Sequence, residues 1–374
     1  MIIGIDSHAA ERDGTGNCTY IRGLLTGLAR IDRDNRYRVY ATDPGHPFYA
    51  RVLRTENMEL RRLRFRHSLI RIPFELAWRS RADRLDLLHT QYIGPPIHHG
   101  RPVVTIHDLA FLHDPRSFNR FERFRSRLLI PANARHAARV LTCSDYSRRD
   151  IIHSCGIPDD KIRVIPYGTE YHDLPGRPAA ERNEVLARLG IRKPFILSLG
   201  RLNLRKNLGR LISAYSRLRR DKRTTALLVL AGKKDHLAEQ AQRAVTESGY
   251  ESDIRLTGYV PQPDLPVLFQ EAEVFVYPSR FEGFGLPPLE AMACGCPVIA
   301  SDATSIPEVT GDAAILIDPD SEQDLADALI AVLTDLDRRA GMIDRGRKQA
   351  ARFHWDRTAR ETLAAYREAA GEMR

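Results

Sequence analysis

Short runs rich in Val, Ile and Leu alternate along this chain with longer stretches whose apolar residues recur at helical spacing. A parallel sheet with crossover helices requires that alternation, because its strands are covered on both faces and read as continuous apolar runs. The pattern predicts an α/β chain throughout. In the first half it predicts strands over residues 2–6, 37–41, 85–89, 103–107, 140–144 and 162–166. In the second half the expected strands are 195–199, 226–231, 253–256, 274–277 and 298–301. Two doubly wound units follow. Between them, residues 170–178 hold two prolines and a glycine without apolar periodicity, which predicts a linker. After residue 320 the pattern is helical, and Trp355, Leu363, Ala364 and Tyr366 share one face of a closing helix.

The length of 374 residues agrees with two domains of roughly 150 residues each. A hydrophobic fraction of 43% and a charged fraction of 28% are those of an ordinary globular protein. The opening Met-Ile-Ile-Gly lacks the basic segment and apolar run of an export signal, and runs such as 226–231 are far short of the ~20 residues that cross a bilayer. Cys18, Cys143, Cys155, Cys294 and Cys296 are odd in number and scattered. That argues for buried thiols in a reducing cytoplasm rather than a disulfide framework, and Cys294-Gly-Cys296 has no second ligand pair at metal spacing.

Locating the charge changes the picture. Residues 1–172 carry 28 Lys and Arg against 19 Asp and Glu, whereas residues 173–374 carry 29 of each, so the net charge of +9 lies wholly in the first half. It concentrates in Arg61, Arg62, Arg64, Arg66, Arg71, Arg79, Arg81 and Arg84, interleaved with Leu63, Phe65, Leu69, Ile70, Phe74 and Trp78. Two readings stay open: a surface that meets an anionic membrane or acidic acceptor, or an Arg-rich solvated face. The aromatics lack the glycine-aromatic pattern of an RNA-recognition strand, so no nucleic-acid partner is expected.

The most specific run is Phe281-Glu282-Gly283-Phe284-Gly285-Leu286-Pro287-Pro288-Leu289-Glu290, directly after the expected strand 274–277. Its glycines let backbone approach a ligand, its prolines suit a first helical turn, and a helix from about Leu289 would aim its N–H groups past the carboxyl edge of the sheet. Glu282 in the loop and Glu290 in the first turn flank that spot, and carboxylates suit vicinal hydroxyls; the simpler role of Glu290 is to complement the helix dipole. Gly200-Arg201-Leu202-Asn203-Leu204-Arg205-Lys206-Asn207 follows the first strand of the second half and brings cations, Arg201 and Lys206 among them, to the same edge. In the first half, Gly14-Thr15-Gly16 precedes a helix beginning near Asn17, and Thr19 departs from a dinucleotide fingerprint, which counts against a dehydrogenase. His107-Asp108 closes a strand, where an imidazole orients a sugar or acceptor or serves the fold. Residues 144–147 and 166–168 read as a helix cap and a turn.

Glu282 and Glu290 with seven residues between, around Gly283, Phe284, Gly285, Leu286 and Pro287, closely resemble the signature of retaining glycosyltransferases of family four, which have the GT-B fold. Residues 200–207, the glycine loop ending at Gly16, and His107 resemble further family segments. The resemblance implies two Rossmann-like domains facing across a cleft: residues 1–172 on the acceptor side, joined by a closing helix 356–374, and residues 173–355 on the donor side. It implies transfer of a hexose from a nucleotide-sugar donor, with retention, to a glycan or lipid-linked acceptor. Glu282 and the backbone of Phe284, Gly285 and Leu286 would hold the sugar, Arg201 and Lys206 the diphosphate, and Glu290 the ribose. Gly16 and Gly200 would line the donor, and His107 would lie near the reacting sugar. Similarity to bacterial mannosyltransferases of surface polysaccharides implies GDP-mannose, used in the cytoplasm or peripherally at the inner face of the membrane. No cofactor or metal is expected, because Arg201 and Lys206 supply the positive charge; Asp318-Pro-Asp320 reads as a turn and helix cap. The rival readings are a sugar-nucleotide-binding protein without turnover and a basic nucleic-acid-binding protein that uses the Arg-rich first half.

Overall fold

The computed structural model describes residues 1–52, 55–172, 174, 176–233 and 238–371. Two compact units divide the chain, the first being Met1–Glu170 with the segment from Phe353 onward, and the second Tyr171–Arg352. Of the expected linker, residues 173 and 175 lie outside the described residues, as do residues 372–374 of the expected closing helix.

The first unit is built on seven parallel strands: β1 (Ile2–Asp6), β2 (Arg36–Ala41), β3 (Met58–Arg62), β4 (Leu87–Gln91), β5 (Arg101–Thr105), β6 (Arg139–Thr142) and β7 (Ile162–Val164). They lie in the order β3-β2-β1-β4-β5-β6-β7. Helices cross between them and supply the second layer of the core. The helix Gly16–Ile31 starts at Thr15, whose side chain accepts from the Cys18 N–H at 3.1 Å, and the helix Asp145–Cys155 starts at Ser144 in the same manner. The closing helix Trp355–Ala370 completes this unit rather than the second. Trp355 packs where Gly23 and Gly168 have no side chains; a Cβ on Gly23 would lie 2.1 Å from the indole, and one on Gly168 2.2 Å from the backbone nitrogen of Trp355. Polar ties finish the seam: His89 Nδ1 meets the Tyr366 hydroxyl at 2.6 Å, and Glu368 accepts from Arg139 at 3.0 Å and Arg163 at 2.9 Å.

The second unit holds β8 (Phe195–Leu199), β9 (Leu227–Ala231), β10 (Ile254–Gly258), β11 (Val274–Tyr277), β12 (Val298–Ser301) and β13 (Ile315–Ile317). All are parallel, in the order β10-β9-β8-β11-β12-β13. Leu228, Leu230, Val274, Val276 and Ile299 pack against Leu211, Tyr215, Leu325 and Leu329 of the flanking helices, so these strands are apolar at nearly every position. Each sheet is thus doubly wound, as the alternation predicts.

The differences fall at edges and boundaries. β3 and β13 fall outside the strands that the pattern predicts: β3 is an edge strand reading Met-Glu-Leu-Arg-Arg with one buried residue, and β13 is three residues long. Neither needs a covered apolar run. The strand expected over 85–89 sits two residues later and that over 103–107 two residues earlier, which leaves His107 just beyond β5 rather than at its end. The run 61–84 is not one uniform face, since Leu63 and Arg71 are buried and Arg61 pairs with Glu59 at 2.8 Å. Among the described residues no helix is long and apolar enough to cross a membrane.

Candidate active site

The strand order of the second unit reverses between β8 and β11: the chain leaving β8 goes on to β9, and the chain leaving β11 goes on to β12 on the other side. Loops from two such strands diverge at their carboxyl ends and leave a crevice where ligands of doubly wound sheets bind. Three loops meet there. Residues 200–207 leave β8, residues 278–285 leave β11, and residues 302–305 leave β12.

Asn203 shapes the first loop by accepting from the Lys206 N–H at 3.3 Å, which tightens one 3-10 turn over Leu204–Lys206. The turn carries the Lys206 ammonium inward, where it donates to the Tyr277 hydroxyl and, at 2.6 Å, to Glu282 Oε1; the ammonium also stands 4.5 Å from the centre of the Tyr277 ring. Gly200, Arg201, Lys206 and Tyr277 line one small cavity. The Arg201 side chain is exposed.

The second loop is held from beneath. Ser279 Oγ donates to Glu282 Oε1 at 2.6 Å, the Glu282 N–H donates to Thr304 Oγ1 at 3.0 Å, and the Ser305 hydroxyl reaches the carbonyls of Glu282 at 2.9 Å and Phe284 at 2.8 Å. Burial by itself would raise the Glu282 carboxyl, but the charges of Lys206 and Arg205 outweigh it and hold the group at about 2. Gly285, at φ +117°, turns the chain into the helix Leu286–Ala293, with Pro287 and Pro288 in its first turn. The helix therefore begins three residues earlier than the sequence suggests, and Glu290 lies in its second turn, not its first. Glu290 is buried, and among the described residues no hydrogen-bond partner reaches its carboxyl group. Desolvation pushes that group up to about 8.

His107 and Gly16 belong to the first unit. His107 is buried with Nε2 2.8 Å from Gln91 Oε1 and Nδ1 on the Tyr167 hydroxyl, so the network assigns the proton to Nε2. The rings of Tyr20 and Tyr92 pack edge-on against it, with centroids at 4.9 and 5.2 Å. Burial pushes the imidazole down to about 3 and keeps it neutral at pH 7. Gly16 opens the helix that carries Tyr20, and a Cβ built there meets nothing within 4 Å.

Asp318 and Asp320 are engaged locally: Asp318 accepts from the Asp320 N–H at 2.8 Å, Asp320 pairs with Arg280 at 2.6 Å, and Ser321 caps the helix Glu322–Thr334. Among the described residues no group of three or more His, Cys, Asp or Glu is placed to hold a metal ion, and the five cysteines are free and buried. Sequence reasoning missed Tyr277, Ser279, Thr304, Ser305 and Arg205. Their one shared signal was position at or beyond the carboxyl ends of β8, β11 and β12, beside motif residues.

Two doubly wound units, one with a Lys–Glu pair at its switch point, are the frame of a GT-B enzyme. Residues 182–349 match the model "Glycosyl transferases group 1", and residues 16–172 match "Glycosyltransferase Family 4". The protein is a nucleotide-sugar-dependent glycosyltransferase. O-antigen chain mannosyltransferase B of Escherichia coli is 34% identical over 297 residues, covering 79% of this chain and 77% of that one. On that relationship the chain belongs to glycosyltransferase family four, related to bacterial O-antigen mannosyltransferases. The serotype-specific mannosyltransferase WbdA of Escherichia coli is 31% identical over 71% of this chain, which spans 33% of WbdA. In fold, sucrose-phosphate synthase from Thermosynechococcus elongatus superimposes with a TM-score of 0.77 over 99% of both chains at 22% identity.

Proposed function

We propose that the chain transfers mannose from GDP-mannose, with retention at the anomeric carbon, to a glycan or lipid-linked acceptor. The observation that carries this reading is the buried contact of Lys206 with Glu282 at the β8/β11 switch point. A cation and a carboxylate held together there suit the two ends of a sugar diphosphate. Lys206 and the exposed Arg201 face the diphosphate, on which negative charge grows as its bond to the anomeric carbon breaks and the acceptor oxygen bonds to that carbon. Glu282 and the backbone of Phe284, Gly285 and Leu286 take the sugar hydroxyls, and Gly200 lets the nucleotide pass close. Glu290 takes the ribose, whose hydroxyls supply the donors its buried carboxyl lacks. No metal is required, since Arg201 and Lys206 already provide the charge. The acceptor is met peripherally at the inner face of a membrane.

Mannose and GDP rest on the names of the relatives, which include O-antigen chain mannosyltransferase B and O-antigen chain mannosyltransferase RfbU. A panel of nucleotide sugars assayed for nucleoside diphosphate release tests the donor. GDP release from GDP-mannose should exceed UDP release from UDP-glucose by an order of magnitude or more; the reverse preference would reject GDP-mannose.

A further inference from the structure

Two helical segments of the first unit present apolar side chains outward. In residues 65–78, Phe65, Leu69, Ile70, Phe74 and Trp78 are exposed, Phe74 at 68% and Trp78 at 60%. In the helix Arg120–His136, Phe121, Phe124 and Leu128 share one stripe at i, i+3 and i+7, with Phe124 69% exposed, while the only buried residues are Ile130 and Ala134 in its second half. Arg125 ties the segments together by donating to Ser68 Oγ at 3.1 Å. A stripe that would ordinarily face a core here faces outward, and apolar patches rimmed by charge mark interaction sites.

The charge around the stripe selects the partner. Arg64, Arg66, Arg81, Arg120, Arg123 and Arg127 are exposed beside it. The carboxylates of residues 61–84 and 116–136 are turned to other uses. Glu75 is buried and accepts from the N–H groups of Arg64 at 2.6 Å and Phe65 at 3.0 Å, Asp83 accepts from Tyr40 at 2.8 Å, and Glu122 closes a capping box with Asn119. Glu122 is the one of these carboxylates that stays exposed, and the arginines outnumber it, so what faces outward is mainly cationic and apolar at once. A nucleic acid would use the arginines and could stack on aromatic rings, but it offers nothing to Leu69, Ile70 and Leu128. An anionic bilayer takes both, with phosphates at the guanidinium groups and Phe, Trp and Leu in the acyl boundary.

We infer that residues 65–78 and 120–128 form one surface that seats the enzyme on a bilayer of anionic phospholipid. The inference rests on the reading that the acceptor is met at a membrane and assigns the surface that meets it. Arg120, Arg123 and Arg127 lie over the headgroups, and Phe74, Trp78, Phe121 and Phe124 enter the interface.

Co-sedimentation of the full chain with vesicles of pure phosphatidylcholine, or with about a third phosphatidylglycerol, tests this across a salt series. The expected result is binding to the anionic vesicles alone, weakening as salt shortens the screening length. Replacing Arg120, Arg123 and Arg127 together by Gln should cut partitioning on the order of a hundredfold, at about fivefold per basic side chain near an anionic leaflet. Trp78→Ser with Phe124→Ser should cut it by at least about tenfold at fixed salt. All variants should keep the wild-type thermal midpoint, and GDP release with a soluble acceptor should be unchanged, because none of these residues lies at the donor site. Equal binding to both vesicle types, binding to neither, or wild-type binding by the variants would overturn the assignment. So would displacement from vesicles by an oligonucleotide at equal phosphate, or a dimer that the Ser variants dissociate. Vesicle binding without transfer, by contrast, would count against the proposed function alone.

Discussion

Lys206 Nζ and Glu282 Oε1 lie 2.6 Å apart although 76 positions separate them in the chain. Both side chains are about nine-tenths buried, so each compensates the other's charge where water cannot. Removing one partner of a buried pair leaves an uncompensated charge, a loss larger than the net worth of the pair. The contact therefore has consequences for stability and, under the proposed function, for transfer.

Lys206→Ala should lower kcat/KM by the equivalent of about 2–4 kcal/mol, comparable to deleting one preorganised electrostatic donor. It should also lower the thermal midpoint, and the double replacement with Glu282→Ala should restore part of that midpoint but none of the activity. Lys206→Arg should stay impaired, because a planar fork does not reproduce a compact ammonium against Tyr277. Steady-state rates and thermal unfolding of the wild type, Lys206→Ala, Glu282→Ala, the double variant and Lys206→Arg check this; additive effects of the two Ala replacements on stability would mean that the pair is not coupled.

Glu290→Ala should weaken binding of the free nucleoside diphosphate by about 1.5–3 kcal/mol, read by calorimetric titration. The same residue gives the ligand-free protein a pH dependence. Burial raises its carboxyl from an ordinary 4.5 to about 8, so between those values the folded state holds a proton that the unfolded chain has released. Stability from this group is full below about pH 4.5 and is lost as pH rises through about 8. Glu290→Gln should flatten that part of the stability profile, and an unaltered slope would show that Glu290 is not its source.

His107 acts in the opposite direction. Burial lowers its folded value to about 3, and His89 in β4 is likewise lowered to about 3 by burial, against an ordinary value of 6.5. Below pH 6.5 the unfolded chain binds protons that the native state refuses, so stability should fall steadily towards pH 3. His107→Gln should make that fall shallower in unfolding midpoints measured across the range.

Transfer should persist in EDTA and gain nothing when Mg²⁺ or Mn²⁺ is titrated back. Activity abolished by chelation and restored by metal would move attention from Arg201 and Lys206 to Asp318 and Asp320.

Much of this was legible because it is local. Central strands such as Leu227–Ala231 are apolar at every position, and the motif residues Gly200, Lys206, Glu282 and Glu290 are neighbours along the chain within two short runs. The edge strand Met58–Arg62 was hidden because a strand paired on one side needs little apolar character. The support of Glu282 by Ser279, Thr304 and Ser305 was hidden for another reason: it depends on two strand ends coming side by side. Periodicity also failed to say which way a stripe faces. Phe121, Phe124 and Leu128 have the spacing of core residues and stand on the surface.

The slot for Trp355, shaped by Gly23 and Gly168, sets an order of events on the ribosome. All of β1 to β7 emerges before the helix that fills that slot has been made, and until then the nascent first sheet carries a tryptophan-sized hole. The second unit draws on one continuous stretch, Tyr171–Arg352, and can close while its predecessor waits. The unit translated first is thus the unit completed last. A chain ended after Arg352 should retain cooperative unfolding of the second unit alone, and native-like hydrogen-exchange protection of β1 and β4 in that chain would show that the waiting is not needed.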